Sequence, residues 1–251
     1  MERKAPDDLA RLWRLPTGSK LGRRAELDVD RIVGTAVDLA DRDGTAGATL
    51  PKIAAALSVT PMSLYRHIGS KDELVDLMAD AAFGPAPEPV AAESEWRPAL
   101  REWALAVSAV YRRHPWLAQL PISGPPRGPN AIAWMDAGLR ALRPTPLDWP
   151  AKIGVITVVG GYVRQAFVTG RQLEESRRAA NLNETQALRN YTAEVATLVD
   201  PSQFPDAAAL FASGIFEAMP SSTDPVDEDF TFGLDLVLDG VTAAVENRPG
   251  R

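Results

Sequence analysis

Cysteine is absent from this 251-residue chain, so no disulfide framework, thiol nucleophile or cysteine zinc site can be built from it. Histidine occurs twice, as His67 and His114, too few for a histidine-built metal site. No stretch reads as a glycine-rich phosphate loop, and no nucleophile has a base beside it. No catalytic residue, metal or cofactor is therefore expected. The first residues hold no apolar signal core, and no run approaches the apolar length of a membrane span, so a cytoplasmic protein with no membrane partner is expected. Alternating strand patterns are also missing, which leaves an all-α fold. With 45% hydrophobic and 24% charged residues, the chain can bury a sizeable core without staples.

The net charge of −6 argues at first against a nucleic-acid partner, but its distribution matters more than its sum. From Leu9 to Arg24 there are five basic residues (Arg11, Arg14, Lys20, Arg23, Arg24) and no acidic one. Residues 1–26 lack sustained periodicity and carry Pro6, Pro16, Gly18 and Gly22. They read as a basic, disordered arm suited to phosphates or a minor groove.

The rest of the chain is organised around residues 57–71. Thr60 stands at an N-cap position and Pro61 at the first helical position, where a missing N–H costs nothing. Leu64 and Ile68, four apart, face inward, which leaves Pro61, Met62, Ser63, Arg66 and His67 outward. Ser70 and Glu73 form a capping-box pattern for the next helix. A helix this short with a mixed outer face suits insertion, and the major groove of DNA admits one helix. Upstream, Asp28 caps a helix with Val29, Ile32, Val33, Ala36, Leu39 and Ala40 on one face, ended by Gly44. Thr49 caps a second short helix with Ile53, Ala54 and Leu57 inward, and Ser58 fills the turn. A fourth helix runs from Lys71 to about Phe83, followed by the proline-rich connector Pro85–Pro89.

Beyond the connector the pattern stays helical. Trp96, Leu100, Trp103, Val107 and Val110 mark one helix, ending near His114-Pro115, and Asn130 to Leu142 another. Residues 148–175 form a long helix, apolar almost all round from Ile153 to Val168 and so expected to be buried on most sides. Asn183 and Pro205 open two more. Asp227 to Asn247 closes the chain with a wide apolar face that has no obvious internal partner.

Residues 27–82 resemble the DNA-binding domain of the TetR family of transcriptional regulators. The resemblance rests on the register of Arg31 to Gly44, on Ile53-Ala54, Val59, Leu64-Tyr65-Arg66-His67-Ile68 and on Ser70-Lys71-Asp72-Glu73-Leu74. Arg113-His114-Pro115-Trp116, Gly128-Pro129-Asn130 and the glycine pair Gly160-Gly161 are similar to the ligand-binding domain of the tetracycline-repressor class. The resemblance implies an N-terminal three-helix helix-turn-helix domain (27–84) and a larger helical domain for ligand binding and dimerisation (95–249). It also implies a homodimer on a palindromic double-stranded operator, with a small-molecule effector. By position, it points to Thr49, Thr60, Pro61, Met62, Ser63, Tyr65, Arg66, His67 and Lys71 as DNA-binding residues. Trp103, Val107, His114, Trp134, Met135, Val158, Tyr162 and Phe167 are the candidate effector contacts, so an apolar or aromatic ligand is expected. Pro61 and Met62 offer bases no side-chain hydrogen bond, and Pro51 removes another side chain that could reach DNA. Other readings remain open at this stage: an architectural or activating DNA-binding protein without an effector, or an all-helical enzyme.

Overall fold

The computed structural model describes residues 5–15, 27–88, 95–218 and 228–247, and every regular element among them is helical. In chain order these are α1 (Asp7–Leu12), α2 (Val29–Asp43), α3 (Leu50–Ala56), α4 (Pro61–Ile68), α5 (Lys71–Phe83), α6 (Trp96–Arg113), α7 (Pro129–Ala141), α8 (Trp149–Ala179), α9 (Glu184–Val195), α10 (Pro205–Ala212), α11 (Ile215–Ala218) and α12 (Glu228–Glu246), with a 3-10 turn at Pro115–Gln119. Two compact units result: residues 1–167 with 236–251, and residues 168–235.

The first unit begins with a departure from expectation. Part of the supposed arm is the helix α1. Six residues are too few for a helix to persist alone. This one persists because Ala10 and Leu12 are buried and because α1 packs on α5. Arg11 and Arg14 are therefore not free to hold phosphate: Arg11 pairs with Glu73 and Arg14 with Asp30. Lys20, Arg23 and Arg24 lie outside the described residues.

The helices α2 to α5 form where the sequence places them. The Asp28 carboxylate accepts the Arg31 N–H at 2.8 Å, and Ile32, Val33, Ala36, Leu39 and Ala40 are buried. Ile53 and Ala54 from α3 and Leu64 and Ile68 from α4 complete this small core. Ser58 takes φ +56° in the turn between α3 and α4, a left-handed conformation that disfavours a side chain. Only half of the expected capping box at α5 forms. Ser70 Oγ accepts the Glu73 N–H at 3.0 Å, but the Glu73 carboxylate turns to Arg11 instead.

The first part of the C-terminal region is joined to these helices. Trp116 Nε1 donates to Asp41 Oδ1 at 2.7 Å, and His114 Nδ1 lies 2.8 Å from the same oxygen. The proline connector thus does not separate two independent bodies. Arg97 on α6 reaches Asp239 and Thr242 on α12 at 2.6 and 2.9 Å.

Helix α8 overturns two expectations. By length and composition alone it is long and apolar enough to cross a membrane, where the sequence pattern implies no such run. Its middle is also far from buried. Ile156, Val159 and Val163 are inside, whereas Val158 is 58% exposed. Arg164, in mid-helix, donates to the carbonyls of Ala118 and Leu120 at 2.8 and 2.5 Å. The apolar residues therefore divide between an inner face and an outer one. The last helix, α12, likewise buries Leu234, Leu238 and Val241 while Phe232 and Leu236 stay exposed.

Within the second unit, Asn183 and Gln186 make the full capping box of α9, with N–H···O distances of 2.8 and 3.0 Å. Tyr191, Phe211 and Phe216 form an aromatic cluster with ring centroids 5.4 to 5.7 Å apart. Helix α11 has no counterpart in the sequence pattern.

Candidate nucleic-acid interface and effector region

Helices α3 and α4 present one polar and apolar mixed face to solvent. Leu64 and Ile68 are fully buried, which fixes the roll of α4. Pro61, Met62, Tyr65 and Arg66 are exposed as a result, Met62 at 70% and Tyr65 at 42%, while Ser63 and His67 are partly covered. Thr49 and Thr60 have the extended backbone of N-cap residues, yet neither side chain caps a backbone N–H of its helix. The sequence pattern places Thr49 as a capping side chain, and the structure does not give it that bond. Its hydroxyl is exposed and directed elsewhere, and Thr60 Oγ1 sits 2.9 Å from Ser63 Oγ. Hydroxyls not consumed by capping can donate to a phosphate oxygen.

Lys71 is exposed at the first residue of α5. An ammonium there adds to the unpaired N–H groups and positive dipole end of the helix, an arrangement that attracts phosphate. The nine candidate DNA residues thus fall on α4 and on the helix starts flanking it. Among them, Met62 and Pro61 carry no hydrogen-bonding side chain. Any base readout they give is apolar contact, as with a thymine methyl.

The effector candidates scatter more widely. Trp103, Val107, Trp134 and Phe167 lie among α6, α7 and α8. The Trp103 indole N–H donates to the Trp134 carbonyl at 3.0 Å, and Val107 and Trp134 are buried. A chain of rings links Trp134 to Phe83, Phe83 to Tyr111 and Tyr111 to Phe167, with centroids 6.1, 6.4 and 5.8 Å apart. Burial pushes the Tyr111 phenol above its usual range. Met135 and Tyr162 are half-buried on α7 and α8. Two candidates sit elsewhere. His114 is held by Asp41 of α2, and Val158 faces out of α8. Phe83 and Tyr111 belong to the same chain of rings without being among the sequence candidates. Tyr111 was legible, because it stands four residues after Val107 on the inward stripe of α6. Phe83 was not, because the end of α5 carries no sign of what it meets.

The two glycines in mid-α8 have different neighbours. A Cβ on Gly160 would come 3.6 Å from Trp103 Cη2, whereas one on Gly161 would meet nothing within 4 Å. Gly160 therefore faces the Trp103 side of the helix.

The end of α5 is wired to α7. Buried Asp80 accepts the Ala131 N–H at 2.9 Å, and its backbone carbonyl accepts from Asn130 Nδ2 at 3.0 Å. Trp134 Nε1 donates to the carbonyl of Gly84, which closes α5, at 3.0 Å. Desolvation raises the Asp80 carboxyl above its ordinary range, against the lowering influence of those N–H bonds. A Cβ at Gly128 would overlap this carboxylate, so glycine is what allows α5 and the start of α7 to approach so closely.

A three-helix head whose short helix α4 exposes one face, joined to further helices, has the form of a helix-turn-helix DNA-binding protein. Residues 32–78 match the family model described as "Bacterial regulatory proteins, tetR family", and residues 88–245 match "Tetracyclin repressor-like, C-terminal domain". The chain belongs to the TetR family and is a DNA-binding transcriptional regulator. It is 33% identical to the HTH-type transcriptional repressor DrrR1 of Streptomyces coeruleorubidus, over 99% of this chain and 91% of that one. Its fold is similar to that of the TetR family protein ActR of Streptomyces coelicolor in complex with (S)-DNPA. The TM-score is 0.69 at 25% identity, covering 88% of this chain and 100% of ActR. BioQ, solved with its double-stranded DNA operator, shares the fold with a TM-score of 0.56 at 21% identity, over 86% of this chain and 99% of BioQ.

Proposed function

We propose that the chain is a repressor that binds a palindromic operator as a homodimer and leaves it when a small-molecule effector binds. The face of α4 carries the DNA half of this reading. With Leu64 and Ile68 inside, Pro61, Met62, Tyr65 and Arg66 meet base edges. Thr49, Thr60, Ser63, His67 and Lys71 meet the backbone on either side. Residues 27–84 serve DNA binding, and 95–249 serve effector binding and dimerisation.

The partner is a second copy of the chain. The exposed apolar faces of α8 (Trp149, Ile153, Val158) and of α12 (Phe232, Leu236) suit a bundle formed with their symmetry mates. Two reading helices about 34–36 Å apart then address successive turns of one groove face. This use of α8 also explains its apolar outer surface without a membrane. The protein acts in the cytoplasm, where bacterial DNA lies, and reads DNA without covalent chemistry.

The effector region is the ring-lined zone of Trp103, Phe83, Tyr111, Trp134 and Phe167, which favours a largely apolar or aromatic molecule. That ActR, of similar fold, was solved in complex with (S)-DNPA supports a small-molecule effector. A ligand that displaces α7 pulls on Asp80 and Gly84, and so re-angles α5 and the head attached to it. The test uses duplexes from the DNA flanking the protein's own gene. Compounds that quench Trp103 and Trp134 fluorescence should release the bound duplex. Quenching compounds that leave duplex affinity unchanged would overturn the switch.

A further inference from the structure

The short helix α1 and the two residues that follow it, Trp13 and Arg14, make contacts that reach three places. Arg11 donates through both Nε and Nη2 to the Glu73 carboxylate on α5, the latter at 2.9 Å. Arg14 Nε donates to Asp30 Oδ1 on α2 at 2.6 Å. Arg127, in the loop before α7, donates through Nη2 to Asp8 Oδ2 at 2.5 Å, and its carbonyl accepts from Trp13 Nε1 at 2.8 Å.

Two of these anchor points are mechanically important. The Arg11–Glu73 pair lies over Gly69, which follows the last residue of α4 with φ +67°. A Cβ on Gly69 would come 2.7 Å from Arg11 Nη2 and would overlap Glu73 Oε2. The pair therefore covers the turn that sets the angle between α4 and α5. The other anchor, Arg127, directly precedes Gly128, the N-cap of α7. That is the helix whose first turn is held by Asp80.

We infer that α1 is a strap that positions the reading helix relative to the loop ahead of α7, and that Asp8, Arg11, Trp13, Glu73 and Arg127 are positioning residues for operator binding that do not themselves touch DNA. The strap runs alongside the connection through α5. Movement that lifts the start of α7 from Asp80 also draws Arg127 away from Asp8 and Trp13, and the pull passes through α1 to the turn after α4. The inference rests on α4 being the DNA-reading helix.

The test exploits the opposite charges of Asp8 and Arg127. Full-length Asp8→Ala, Arg127→Ala, the double variant and the exchanged pair Asp8→Arg with Arg127→Asp are titrated with a duplex from the DNA flanking the protein's own gene. Hydrogen exchange is followed at the amides of Ala10, Trp13 and Leu15, which close the turns of α1. A strap predicts that both single variants weaken duplex binding, by about three- to tenfold, since an exposed pair alone shifts an equilibrium modestly. The double variant should be no weaker than either single, and the exchanged pair should restore affinity and amide protection. A general field effect predicts the opposite pattern, with Asp8→Ala strengthening and Arg127→Ala weakening. That pattern, additive losses, or unprotected amides with unchanged affinity would overturn the strap. Failure of the unaltered protein to bind any such duplex would instead overturn the reading of α4, and the strap with it.

Discussion

The Asp80 carboxylate on α5 accepts the Ala131 N–H in the first turn of α7 at 2.9 Å. It thus serves as a capping group supplied from another helix, and it ties the helix that begins at Lys71 to the helix that carries Trp134. Gly128, at the N-cap of α7, has no side chain with which to do the same. The sequence contains no sign of this arrangement, because Asp80 and Ala131 are 51 positions apart.

Replacing Asp80 by alanine should destabilise the fold by about 1–3 kcal/mol, since it removes a cap and leaves buried N–H groups without their acceptor. Urea unfolding of the dimer at fixed protein concentration measures this. The raised carboxyl also gives a pH signature. A folded-state value above the unfolded one means that the native state holds the proton more tightly. The contribution of Asp80 should therefore become less favourable as pH rises from the ordinary carboxyl value through the raised one. Asp80→Asn should lack that slope, so its stability relative to the unaltered protein should rise with pH across that window.

Ser58→Gly should stabilise the protein by about 0.5–1 kcal/mol. The left-handed backbone at φ +56° penalises a Cβ, partly offset by the greater freedom of glycine in the unfolded chain. The thermal midpoint should rise without loss of duplex affinity. A fall in the midpoint would show that the serine side chain contributes a contact worth more than the strain.

Val158→Asp should convert the dimer to monomer, because it places two like charges in an apolar seam where Val158 is 58% exposed in the single chain. Sedimentation velocity checks the mass. Duplex affinity should fall at least about tenfold, since one half-site then binds without the other.

Much of the head was legible in the sequence, and the reason is local. The caps at Asp28 and Ser70, the stripe from Ile32 to Ala40 and the spacing of Leu64 and Ile68 each depend on neighbours within a few residues. The same logic failed wherever a distant partner decides. Arg11 and Arg14 look like phosphate-binding residues until Glu73 and Asp30 claim them. Glu73 satisfies the capping-box pattern but bonds across to α1. His114 stands at the end of the helix that carries the apolar stripe of α6, and it turns to Asp41. Val158 sits in a run apolar almost all round, a pattern that implies burial on most sides. A single chain leaves the outer face of α8 exposed, and in the proposed homodimer a second copy covers it. Composition cannot distinguish an apolar face meant for the core from one meant for a partner.

The most direct test of the account is the affinity of the full-length dimer for its operator duplex with Tyr65→Ala and, separately, Lys71→Ala, measured by fluorescence anisotropy over a range of salt. Both side chains are exposed, so the fold should survive. Tyr65→Ala is predicted to weaken binding about tenfold or more in a sequence-dependent way. Lys71→Ala is predicted to weaken binding to every sequence alike and to lower the salt slope by about one per subunit. Unchanged affinity and unchanged salt slope in both variants, with the fold intact, would contradict the assignment of α4 and the start of α5 as the DNA-reading surface.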